Sequence, residues 1–111
     1  MGAAMSKAKS RFVKSDAWLL LSLIYGGEPL NKQRIRDIGD YINHAIFTGD
    51  ELKDGLKRLM KHGYAIQAEK HYSASQDVLL WYKTAVKSKK RSYVYKDLAR
   101  VEAFLGIESS E

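Results

Sequence analysis

The sequence of 111 residues contains no cysteine, one proline (Pro29) and three histidines. Missing thiols exclude disulfide frameworks, thiol catalysis and cysteine-based zinc or iron–sulfur sites. No uninterrupted apolar run is longer than residues 17–21, far below the roughly 20 residues that span a bilayer. The basic N-terminus is not followed by the apolar segment and small-residue cleavage site of a secretory signal. His44, His62 and His71 are 18 and 9 residues apart, so no H-E-x-x-H pair forms. Glu69 with His71 supplies too few ligands for a metal site. No GxxxxGK phosphate loop occurs, and no serine stands in a legible Ser-His-Asp arrangement. The expectation is a cytoplasmic, non-membrane protein that is not an enzyme, with no catalytic residue, metal or cofactor.

What is present is an ordinary globular mixture, 45% hydrophobic and 29% charged, in a length that suits one domain. The formal net charge of +6 is unevenly placed. Residues 1–15 carry four cations and no acid, residues 16–82 carry eight cations against nine acids, and residues 83–96 carry six unopposed cations. Excess charge therefore sits on the flanks rather than on the body. Residues 1–12, small and basic with little to bury, read as a flexible leader or expression remnant. Residues 13–107 read as one domain and 108–111 as a flexible tail.

Hydrophobic spacing divides the domain. A first helix is expected over residues 16–25, capped by Ser15 or Asp16 and stopped by Gly26-Gly27 with Pro29 beyond. A second begins at the N-cap Asn31 and carries Ile35, Ile38, Ile42 and Ile46 at spacings of three and four, with Tyr41 and Ala45 beside them. Gly39 within it marks a break or a tight helix crossing. Thr48 and Glu51 have the capping-box spacing for a third helix that ends at Gly63, and Phe47 can staple onto Leu52. The periodicity then changes to two, giving a short hairpin that turns near Glu69-Lys70. Ser75 can cap a fourth helix through Val78, Leu79, Trp81, Tyr82, Ala85 and Val86. A short helix over 96–105 places Leu98, Val101 and Leu105 on one face.

Three helices, a hairpin and further helices describe an α+β, mainly α, winged helix-turn-helix arrangement with a C-terminal helical extension. Its expected core is Trp18, Leu21, Ile35, Ile38, Ile42, Leu52, Leu56 and Leu59. The stretch from Asp40 to Thr48 with its Asn43-His44-Ala45-Ile46 segment, then Asp50-Glu51-Leu52, Gly55-Leu56, Leu59 and Gly63-Tyr64-Ala65-Ile66, resembles a family of small uncharacterised bacterial winged-helix proteins. The likeness spans about residues 16 to 75. It implies the winged-helix fold and a bacterial cytoplasmic protein, and it brings no mechanism.

Two functional readings follow. In the first, the chain is a DNA-associated protein, a transcriptional regulator that binds double-stranded DNA. Its candidate contacts are Lys53, Lys57, Arg58 and Lys61 on the third helix and Lys32, Arg34 and Arg36 on the second. The basic run of Lys87, Lys89, Lys90 and Arg91, with Tyr93 and Tyr95 beyond, adds charge and stacking. Asp50, Glu51 and Asp54 oppose this, since acids at a recognition helix's leading turn repel phosphate while they cap the helix. In the second reading the chain is a protein-interaction or dimerisation module. Residues 78–82 are continuously apolar, which a 3.6-residue helix cannot turn wholly inward. Leu80, Trp81 and Tyr82 are then the interface of a homodimer through the fourth helix, unless residues 93–107 cover that face within the chain.

Overall fold

The computed structural model describes residues 12–86 and 93–107. In chain order the elements are α1 (Lys14–Gly26), α2 (Lys32–Asn43), α3 (Gly49–Lys61), β1 (Ala65–Ala68), β2 (His71–Ala74), α4 (Gln76–Val86) and α5 (Val94–Phe104). The arrangement is the winged helix-turn-helix with C-terminal helices that the spacing predicts.

The first helix is apolar on all sides, and it is accordingly the central helix. Every residue from Asp16 to Ile24 is buried, with α2, α3, β2, α4 and α5 packed around it. It starts two residues earlier than the sequence suggests. Val13 occupies the cap position, and Asp16 accepts that residue's N–H at 3.1 Å from inside the first turn. At the other end Gly27 takes the left-handed conformation, φ 69°, which lets its N–H close onto the Leu23 carbonyl.

Gly39 is a crossing rather than a break. A Cβ there would stand 2.5 Å from the Phe47 ring, and the bare backbone lets Trp18 Nε1 donate to the Gly39 carbonyl at 2.9 Å. Trp18 and Phe47 stack with centroids 3.7 Å apart, locking the α2–α3 turn onto α1. The second helix is shorter than its isoleucine spacing implies. It stops at Asn43, with His44 left-handed at φ 54°, and Ile46, beyond the end, is 67% exposed. Tyr41 is also exposed, at 66%, and Ile38 is half-buried. The remaining expected core residues are buried.

A capping box opens α3: Thr48 Oγ1 accepts from Glu51 N at 3.0 Å, and Glu51 Oε1 accepts from Thr48 N at 2.9 Å. The chain leaves α3 straight into the hairpin, whose register pairs Ala65 with Ala74 and Ala68 with His71. Its two-residue turn, Glu69-Lys70, has Glu69 at φ 60°. Leu30 adds a further rung that hydrophobic spacing did not reveal. It exchanges two backbone hydrogen bonds of 2.8 Å with Tyr72, so β2 is paired on both sides. That rung ties the α1–α2 connection to the wing.

Candidate nucleic-acid interface

The third helix buries Leu52, Gly55, Leu56 and Leu59 and turns the intervening positions outward. Lys53, Lys57 and Lys61, four residues apart, form one exposed row along it. Lys32 and Arg34 are exposed on the opening turn of α2. Asn31 fixes that turn by accepting from the Arg34 N–H at 2.8 Å. Among the described residues, Lys32, Arg34, Lys53, Lys57 and Lys61 take part in no ion pair. Arg36 is half-buried, and its Nε makes a long 3.5 Å contact to the Phe47 carbonyl. Lys87, Lys89, Lys90 and Arg91 lie outside the described residues.

Arg58 differs from its neighbours. Its Nε donates to Asp16 Oδ2 at 2.7 Å and its Nη2 to Asp16 Oδ1 at 3.0 Å, the two-pronged geometry that suits a guanidinium. Hydrogen bonding to Asp16 holds the Arg58 pKa above its ordinary value against the opposing effect of burial. The guanidinium thus clamps α3 to α1, and the free cations of α3 are its lysines. Gly55 makes the clamp possible, because a Cβ there would stand 2.9 Å from Asp16 Oδ1.

The acids of α3 sort by role. Glu51 is occupied in the capping box, and Asp50 lies in the same first turn, where the helix dipole favours a negative charge. The row therefore runs from an acidic leading turn to a basic trailing end.

No family model, curated protein or solved structure matches this chain. Geometry and charge must then carry the functional reading. Among the described residues no three His, Asp or Glu side chains gather as a metal site, and no helix is long and apolar enough to cross a membrane.

Of the three apolar residues expected to form an interface on α4, only Leu80 points plainly outward, at 60% exposure. The C-terminal helix takes the other two. Trp81 stacks on Phe104 with centroids 4.4 Å apart, and the Tyr82 hydroxyl donates to Asp97 Oδ2 at 2.8 Å. Sequence reasoning missed Asp97, which is 2% exposed and also accepts from the Tyr25 hydroxyl at 2.7 Å and Arg100 Nη1 at 2.8 Å. An acid in a helix's first turn gives no sign in sequence of partners 72 residues away.

Proposed function

We propose that this chain is a DNA-associated winged-helix protein, acting in transcriptional regulation, that holds the duplex mainly by its phosphate backbone. The observation that carries this reading is the row Lys53, Lys57 and Lys61, exposed and in no ion pair among the described residues, on the helix that follows the turn of the helix-turn-helix. Lys32 and Arg34 extend the cationic surface. Acids near the leading end argue against close base reading there, because Asp50 and, one turn on, Asp54 repel phosphate and can accept only from the amino groups of cytosine and adenine in the major groove.

Fluorescence anisotropy with a labelled duplex across a salt series tests it. Binding at low salt should weaken steeply as salt rises, since each neutralised phosphate releases counterions. A Lys53→Ala/Lys57→Ala/Lys61→Ala variant, shown folded by circular dichroism, should bind more weakly and flatten the logarithmic salt slope by about 2–3. Absence of low-salt binding, or a slope that the triple variant leaves unchanged, sinks the reading.

A second reading, self-association through α4, rests on Leu80 alone, because α5 covers much of Trp81 and Tyr82. Sedimentation velocity compares the wild type with Leu80→Lys. This reading expects a dimer that the charge dissociates, and a wild-type monomer at high concentration removes it.

A further inference from the structure

We propose a small-molecule site in the cleft between the end of α1, one face of α2 and the start of α5, with an aromatic monocarboxylate as its ligand class. The cleft measures about 550 Å³ and is lined chiefly by Tyr25, Arg34, Asp37, Ile38, Tyr41 and Val94. That volume lies within the range of ordinary metabolite pockets. This inference goes beyond the reading as a DNA-associated protein and is tested without DNA.

The chemistry of the lining selects the ligand. Arg34 is the cation of the cleft and is in no ion pair among the described residues. A guanidinium is planar and offers a fork of donors that matches a carboxylate in two parallel hydrogen bonds. Its backbone is anchored by the Asn31 cap, so the side chain departs from a fixed point on the cleft wall.

The remaining walls suit a flat apolar body. Ile38 and Val94 are half-buried aliphatic surfaces on facing elements. The Tyr25 hydroxyl is committed to Asp97 at 2.7 Å, which fixes that ring as a wall. Tyr41 is 66% exposed and leaves a large aromatic surface open to a ligand ring.

Asp37 sets the charge. It accepts from Gln33 Nε2 at 3.0 Å on one oxygen, and the carboxylate stands one helical turn from Arg34 on the same wall. Negative charge on a ligand is penalised beside Asp37, and one carboxylate is offset by pairing with Arg34, whereas a second charge has no cation in the cleft to offset it. A single acid on an aromatic ring satisfies both conditions.

Benzoate, its neutral isostere benzamide and the dianion benzene-1,4-dicarboxylate form the test, with binding followed by amide chemical-shift changes in the full chain. Benzoate should shift resonances of Arg34, Ile38, Tyr41 and Val94, and it should bind about tenfold or more tightly than benzamide, as expected for a charge-assisted pair. The dianion should bind more weakly than benzoate. Arg34→Gln, an exposed substitution that leaves the core intact, should abolish the preference for benzoate over benzamide. Asp37→Asn should narrow the gap between the monoanion and the dianion. The proposal is overturned by equal binding of benzoate and benzamide, by shifts clustered away from the cleft, by an Arg34→Gln variant that keeps the preference, or by no benzoate shift at any attainable concentration.

Discussion

Replacing Arg58 with alanine is expected to destabilise the protein by about 2–4 kcal/mol. That is below the loss for a fully buried ion pair, because Asp16 is buried but the Arg58 side chain is 32% exposed. Asp16 is 0% exposed and accepts three hydrogen bonds, two of them from the Arg58 guanidinium. Removing that group strands a carboxylate in the core whose one remaining donor among the described residues is the Val13 N–H. The surviving bond favours the lower end of the range. Even so, the loss is a large share of the roughly 5–15 kcal/mol that holds a typical domain together. Urea denaturation followed by circular dichroism measures it. Arg58→Lys should recover part of the loss, because an ammonium restores the charge without the fork. Replacing Asp16 and Arg58 together by leucine and methionine should cost less than Arg58→Ala, since no lone charge then remains buried. A loss below about 1 kcal/mol for Arg58→Ala contradicts the clamp and places Arg58 with ordinary surface pairs. The clamp also governs how DNA-binding variants are read. Weakened binding in Arg58→Ala follows from a loosened α1–α3 contact, whereas the lysine row reports on the surface itself.

Features that were legible in the sequence depend on neighbours a few residues apart. Thr48 and Glu51 mark the start of α3 because both partners of the box lie within one turn, and both hydrogen bonds form. Gly39 is legible as either a break or a tight crossing, because glycine inside an apolar helical pattern needs a reason to be there, and the Trp18 and Phe47 contacts decide for the crossing. Features that were not legible depend on distant partners. Asp16 has the composition of a cap, yet its main partner is 42 residues away. Arg58 sits among lysines at helical spacing and reads as one more surface cation until Asp16 is found beneath it. The Leu30–Tyr72 rung is a single residue long and has no periodicity to detect. Ile46 continues the isoleucine spacing, but the helix has already ended at a left-handed His44, which the apolar pattern does not encode. For Trp81 and Tyr82 the sequence leaves a dimer face and cover by residues 93–107 both open, and only the packing of α5 decides between them. The cleft with Arg34 is farther still from sequence reading, since it takes lining residues from three elements.

Asp97→Ala is expected to release α5 from α1 and α4 and to lower stability by about 2–3 kcal/mol, since three half-buried donors lose one buried acceptor together. One carboxylate oxygen takes the hydroxyls of both Tyr25 and Tyr82, while the other takes Arg100. The apolar contacts of α5 and its C-cap, through Val101, the Phe104 ring and Leu105, hold the helix less firmly once those hydroxyls lose their acceptor. Amide exchange in α5 should therefore accelerate more than exchange in α3. The phenols supply a readout specific to this network. Burial first, and then the hydrogen bond to Asp97, push the Tyr82 pKa from 10.0 up to about 12, and the same causes raise Tyr25. A phenol with a raised pKa in the folded state keeps a proton that the unfolded chain releases. Its contribution to stability is complete below pH 10 and declines as the pH rises from 10 to about 12. In the wild type, tyrosinate absorbance should thus show these two phenols ionising late and together with alkaline unfolding. Asp97→Asn keeps an acceptor oxygen but removes the charge, so it should lower both phenol titrations while preserving more stability than alanine does. An unaltered tyrosinate profile in both variants, with α5 exchange unchanged, refutes the network as the fastening of the C-terminal helix.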